Sequence, residues 1–230
     1  MRKLLSLIIC ITLLSTITLK HVNAQKREFS NLKRYSMANE NLSKPSKTEK
    51  RVVFMGNSIT DSWSTDFFKN NKSYINRGIS GQTTPQMLIR FRADVINLEP
   101  KVVVILAGTN DIAGNTGPST LEMITNNIES MCELAVANNI KVILSSVLPA
   151  NIYLWSKGIE PADIIIELNK RLKKYAKKKG HIYLDYYSSM VDDEKGLKSI
   201  YASDPVHPNK EGYKVMEVLV EKAIKKAFAN

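Results

Sequence analysis

Histidine is scarce in this chain. Of three, His21 sits in an apolar N-terminus and His181 opens an apolar run, which leaves His207, in Ser203-Asp204-Pro205-Val206-His207-Pro208-Asn209, as the natural general base. Pro205 and Pro208 keep this stretch out of helix, so Asp204 and His207 can lie side by side, the carboxylate fixing the imidazole tautomer. The same residues would also suit a purely structural loop in which Asn209 caps the following helix. A base of this kind needs a nucleophile. Gly56-Asn57-Ser58-Ile59-Thr60-Asp61 follows an apolar run and can present the Ser58 hydroxyl at a helix N-terminus, although Ser and Asn there also serve as caps. Two further turns could donate hydrogen bonds to a developing oxyanion: Gly78-Ile79-Ser80-Gly81-Gln82-Thr83-Thr84, through backbone amides that glycine lets approach closely, and Ala107-Gly108-Thr109-Asn110-Asp111, through a side-chain amide, although glycines also serve only to supply unusual dihedrals and Asn-Asp also caps turns. Nucleophile and donors follow apolar runs, and the acid–base pair stands just before the last helical stretch.

Those runs are short and nearly continuous: residues 52–55, 74–76, 102–106, 142–144 and 182–184. Strands apolar on both faces are the mark of a parallel sheet covered by helices. Amphipathic stretches at 84–98, 118–139, 161–179 and 209–228 lie between and after them, with Pro85 and Pro161 near helix starts and Gly180 after a helix end. The expected fold is α/β, a three-layer α/β/α sandwich on a five-stranded parallel sheet. Ligands bind such sheets at the carboxyl ends of the strands, where the candidate residues fall.

In this order and spacing, Gly56-Asn57-Ser58, Gly81, Gly108-Thr109-Asn110-Asp111 and Asp204-Pro205-Val206-His207 resemble the four sequence blocks of the SGNH (GDSL-type) hydrolases. The resemblance runs from Arg51 to the last helix. Residue 57 is Asn where the family's Gly-Asp-Ser motif has Asp, beside the nucleophile but outside the triad. Segments 56–60 and 78–84 look most like the branch holding platelet-activating-factor acetylhydrolase-like enzymes and bacterial carbohydrate acetylesterases. The resemblance implies a flavodoxin-like fold, a triad of Ser58, His207 and Asp204 working through an acyl-enzyme, and an oxyanion hole of the Ser58 and Gly81 amides with the Asn110 side chain. It implies no metal and no organic cofactor, and no phosphate-loop or zinc signature occurs. Asn57, Asp61, Thr83, Tyr153 and Trp155 are the expected substrate contacts; the two aromatics, in the loop after the fourth strand, suit a sugar face or an alkyl group, and Trp155 could equally fill a gap in that loop.

The chain ends differ from this body. Residues 1–24 combine a basic start, an uncharged apolar run at 4–19 and Val22 and Ala24 before an expected cut, the layout of a removable export signal. The apolar run is shorter than the ~20 residues needed to span a bilayer. The expectation is an exported protein, periplasmic or extracellular, with no membrane anchor after cleavage. Residues 25–50, rich in Ser, Asn and Lys, hold seven basic and three acidic residues and read as an exposed linker, leaving 51–230 as the catalytic domain. The formal charge of +11 at pH 7 comes largely from these ends. No aromatics interleave with the basic residues in a nucleic-acid-binding pattern, and the lysines of 170–179 lie on one helix, a solvated face. Cys132 alone remains after the leader, on a buried helical stripe.

The expected activity is hydrolysis of short-chain, chiefly acetyl, esters on a small molecule or glycan. A lipase- or lysophospholipase-like acylhydrolase is the alternative within the family. From other classes, a phosphoesterase would use Asp61, Asn110, Asp111, Asp204 and His207 as metal ligands, and a carbohydrate-binding protein would use the pocket without turnover.

Overall fold

The computed structural model describes residues 28–63 and 66–229. The expected export signal and the first residues of the expected linker lie outside them.

Five parallel strands, β1 (Val52–Gly56), β2 (Tyr74–Gly78), β3 (Val102–Leu106), β4 (Lys141–Ser145) and β5 (Ile182–Leu184), form one sheet in the order β2-β1-β3-β4-β5. Every residue of β1 and β3 is buried, which is why these strands show no polar alternation. Their period of two survives in which layer each side chain joins. Val53, Met55, Val103 and Ile105 pack under α4 (Thr84–Asp94), α5 (Thr109–Ile112), α6 (Leu121–Ala137) and α7 (Pro161–Lys179). Val52, Phe54, Val102 and Val104 face the opposite layer, made of α2 (Ser58–Asp61), α3 (Asp66–Asn70), α8 (Tyr187–Met190) and α9 (Lys210–Ala229). Phe54 is the centre of that layer, edge-on to Trp63, Phe67 and Phe68 at 5.0–5.9 Å. Burying such a side chain stabilises the fold by about 1.5–3 kcal/mol. The chain leaves β1 for one side of the sheet and crosses back to β3 on the other. The carboxyl ends of β1 and β3 therefore border the crevice where such sheets bind ligands.

Several helices depart from the expected bounds for local reasons. The stretch at 84–98 is helical only to Asp94; Val95 (φ −128°, ψ −65°) breaks it and a 3-10 turn, Ile96–Leu98, follows. Thr120, not Pro118, opens α6, its side chain accepting from the Met123 amide at 3.2 Å. Asn209 caps α9 through the amides of Glu211 and Gly212.

Residues 28–50 are largely exposed, as expected, but they are not a free linker. This segment carries a 3-10 turn, Leu32–Arg34, and α1 (Ser36–Glu40), and it docks on the β2 edge. Tyr35 donates its hydroxyl to the Gly78 carbonyl, Asn39 donates to Asp94 at 2.7 Å and accepts from Arg77 at 2.9 Å, and the Arg51 guanidinium reaches the Ser43 carbonyl at 2.8 Å. The attachment is made of single polar contacts rather than an apolar stripe, so hydrophobic periodicity gave no sign of it.

Candidate active site

β1 ends at Gly56, and Asn57 turns the chain into α2 by accepting the Ile59 amide on its side-chain oxygen at 3.1 Å. Ser58 thus stands at the first position of a one-turn helix. That helix is pressed onto the end of β2, where Asn76 donates to the Thr60 carbonyl at 2.6 Å. At Gly78 a Cβ atom would lie 2.1 Å from the Asp61 amide nitrogen, so only glycine lets the nucleophile turn sit this close.

Ser58 Oγ is 2.9 Å from His207 Nε2, and His207 Nδ1 is 2.7 Å from Asp204 Oδ2. The second carboxylate oxygen, Asp204 Oδ1, accepts the backbone amides of Val206 and His207, both at 2.8 Å. Burial alone would raise the Asp204 pKa; those two amides and the imidazole outweigh it and hold the carboxyl below its ordinary value. An ionised Asp204 fixes the proton on Nδ1 and leaves the Nε2 lone pair to accept the Ser58 hydroxyl proton. The loop is closed by Ser203, whose amide and hydroxyl both donate to the His207 carbonyl at 2.9 Å. The dyad opens on a cleft of about 830 Å³ bordered by Ser58, Ser62, Ser80, Asn209 and Tyr213.

The turn after β2 crosses beside this cleft. Gly81 takes φ 78°, a conformation that favours glycine. The backbone amides of Ser58 and Gly81 make no hydrogen bond among the described residues. Asn110 spends one amide hydrogen on the Gln82 carbonyl at 2.9 Å and keeps the other. Donors without a partner among the described residues therefore follow β1, β2 and β3. A fully buried guanidinium holds the parts in register: Arg90 donates to the Gly56 carbonyl at 3.0 Å, to Asp94 at 3.0 Å and to the Gln82 side-chain oxygen. Asp111 ties the turn to β3 by accepting the Thr84 amide and, at 2.6 Å, its hydroxyl. Burial raises the Asp111 pKa to about 6 against the pull of these bonds.

A serine, an imidazole and a carboxylate in sequence, with unspent donors beside the serine, can carry acyl transfer. The sequence profile of the GDSL-like lipase/acylhydrolase family matches residues 54–215, more than half of the chain and all of this constellation. The chain belongs to this family. Among solved structures similar to this acylhydrolase-family chain, a GDSL-like lipase from Bacteroides thetaiotaomicron is 53% identical, with a TM-score of 0.85 over 87% of this chain and 100% of that one. A proposed acylhydrolase from Bacteroides fragilis matches equally well, covering 87% and 99%. An acetyl-xylooligosaccharide esterase variant from Geobacillus shares the fold at 18% identity, TM-score 0.63, over 76% and 94%. A curated relative, an uncharacterized lipoprotein of Bacillus subtilis (strain 168), is 44% identical over 45 residues, 20% of this chain and only 18% of the relative.

Within this family member, the expected substrate contacts separate. Trp155 stands at the site: its ring is half-exposed and lies 6.5 Å from that of His207, held by an indole N–H bond to Asn115 at 3.0 Å. Asn57, Thr83 and Tyr153, expected beside it, are buried and must be corrected to supporting roles. Asn57 is a cap, Thr83 forms the capping box of α4 with Gln86, and Tyr153 is the plate on which Trp155 stacks at 5.1 Å. Asp61 faces Ser80, accepting its amide at 3.1 Å and its hydroxyl at 2.7 Å, and lies 3.4 Å from Arg34. The ligand set considered for a metal does not assemble: no three His, Cys, Asp or Glu side chains among the described residues converge on one point. Ser80, Gln82 and Arg90 were not singled out from the sequence. Arg90 had a signal, an Arg four residues before Asp94 between the apolar positions Met87 and Phe91.

Proposed function

We propose that this protein is an exported serine esterase that removes short acyl groups, above all acetyl, from carbohydrate esters. The observation that carries the reading is the relay of Ser58, His207 and Asp204 at 2.9 and 2.7 Å in an open cleft. In the reaction, Ser58 Oγ attacks the ester carbonyl as its proton passes to His207 Nε2. The carbonyl oxygen takes the charge, held by the Ser58 and Gly81 amides and the free Asn110 hydrogen. The tetrahedral adduct then collapses: the carbon–oxygen bond to the alcohol breaks, His207 returns the proton to that oxygen, and an acyl-serine remains. Water, deprotonated by His207, reverses the sequence and frees the acid. Asp204 stays ionised throughout and stabilises the imidazolium.

A short acyl group suits a site where the half-exposed Trp155 ring lies 6.5 Å from that of His207. Four serines, Asp66, Asp204 and Lys210 are among the residues that line the cleft, with Tyr213 and Pro208 as apolar bodies, a mixture that suits a polyhydroxylated alcohol with its C–H faces. Export is supported by the leader layout of residues 1–24 and by the short lipoprotein match. The test is hydrolysis of 4-nitrophenyl acetate, butyrate and octanoate, with and without chelator, by the wild type and Ser58→Ala. Activity steepest for acetate, indifferent to chelator and lost in Ser58→Ala is expected. Activity that survives Ser58→Ala refutes the assignment, and a preference for octanoate moves the reading to the lipase-like alternative.

A further inference from the structure

The cleft continues past Ser80. A second hollow of about 540 Å³ runs between the docked N-terminal segment and the turn after β2, with Phe29, Asn31 and Lys33 on one side and Ile79, Ser80 and Gln86 on the other. Ser80 borders both hollows, so they adjoin. The outer wall is fixed in place: Gln82 Nε2 donates to the Ser30 carbonyl at 2.7 Å and Gln86 Nε2 to the Phe29 carbonyl at 2.6 Å. Gln82 is the residue whose carbonyl receives Asn110, so the wall is joined to the oxyanion turn itself.

The groups that face this hollow divide into spent and unspent. Gln82 and Gln86 have committed their side chains, and Glu28 accepts the Leu32 amide at 3.0 Å. The Phe29 ring is 51% exposed, and the Asn31 amide and Lys33 ammonium make no side-chain hydrogen bond among the described residues. One acidic and one basic side chain leave the lining without net charge. An apolar ring face with two free hydrogen-bonding side chains at a neutral site matches an uncharged polyol, which offers both a C–H face and hydroxyls. An acetyl group is two carbons and cannot extend from Ser58 across the first hollow into the second. What reaches there belongs to the alcohol portion of the ester.

We propose that this hollow is a subsite for a further sugar ring of an oligosaccharide ester, with Phe29 as its stacking platform and Asn31 and Lys33 as its hydrogen-bonding partners. The proposal rests on the carbohydrate-ester reading and adds to it that the enzyme recognises an oligomer. The N-terminal segment, outside the span of the family profile, then sets which alcohol is chosen.

Acetate release from O-acetylated mono- and trisaccharides of xylose, glucose and N-acetylglucosamine tests this in the full chain, alongside 4-nitrophenyl acetate. For at least one sugar the trisaccharide should be the better substrate. In Phe29→Ala and in Asn31→Ala/Lys33→Ala, the ratio of kcat/KM for that trisaccharide to kcat/KM for its monosaccharide should fall about fivefold or more. Both variants alter exposed side chains, and a Tm within about 2 °C of the wild type confirms intact folding. A wild type that cleaves 4-nitrophenyl acetate but no sugar acetate ends the carbohydrate reading and this proposal with it. A wild type that cleaves sugar acetates without regard to length, or a ratio unmoved in both variants, overturns the subsite alone.

Discussion

Replacing Asp111 by Asn isolates one buried carboxyl. The side chain accepts the Thr84 hydroxyl on Oδ1 and shares the Thr84 amide between Oδ1 and Oδ2, so an amide oxygen at Oδ1 keeps the two shorter bonds while the substitution removes the charge and the 3.0 Å bond to Oδ2. Burial raises the native pKa from 3.8 to about 6. The native state therefore holds the proton more tightly than the unfolded chain. The stability this contributes is complete below pH 3.8 and lost as pH rises through 6. A raised pKa of this size corresponds to about 3 kcal/mol between the two limits, at 1.36 kcal/mol per unit. Urea denaturation of wild type and Asp111→Asn between pH 4 and 8 measures it, because groups common to both cancel in the difference. Relative to the variant, the wild type should lose roughly 2 kcal/mol from pH 4 to about 6.5 and change little above that, the rest of the difference falling below pH 4. A wild type that gains on the variant as pH rises would refute the reasoning: it would mean that the Thr84 bonds hold Asp111 ionised and anchor α4 as a charged contact.

Asn110→Ala removes one oxyanion donor and should lower kcat on 4-nitrophenyl acetate by ~10²–10³ with little change in KM. Gly78→Ala places a methyl group 2.1 Å from the Asp61 backbone nitrogen, and overpacking of this kind should cost about 1–3 kcal/mol in denaturant titrations and displace Ser58 enough to depress turnover. Arg90→Ala leaves the buried Asp94 carboxylate without its ion pair, held only by the Asn39 amide among the described residues, and frees the Gly56 and Gln82 contacts, with an expected loss of about 3–5 kcal/mol, seen as a large fall in Tm.

The sheet and its helices were legible because their signals are local and redundant. Residues 52–55 and 102–106 are apolar throughout, and a strand buried on both faces needs nothing more. The chemistry-bearing residues were legible for another reason: Ser58, Asn110, Asp204 and His207 each follow a strand or precede a helix in a short motif. Pairing across the chain was not. Asn57, Thr83 and Tyr153 are polar or aromatic residues near the site, and whether such a side chain faces solvent or caps a helix depends on one rotation about the chain that composition does not encode. The docking of residues 28–50 was hidden for a related reason. Tyr35, Asn39 and Ser30 are each tied by one to three hydrogen bonds to partners 38 to 55 positions away, and such contacts leave no period to read.

The same docking changes what the sheet can do with its neighbours. An open sheet has two margins along which unpaired backbone groups invite a strand from another molecule. At one margin here, β5 is only three residues long, too short a template to hold a foreign strand. At the other, along the carboxyl-terminal half of β2, the Asn76 side chain occupies the Gly78 amide and the Tyr35 hydroxyl its carbonyl. A second chain arriving there meets groups already engaged. The segment that walls the cleft thus also guards the protein against growth by sheet extension, so its loss should be felt as aggregation before it is felt as unfolding.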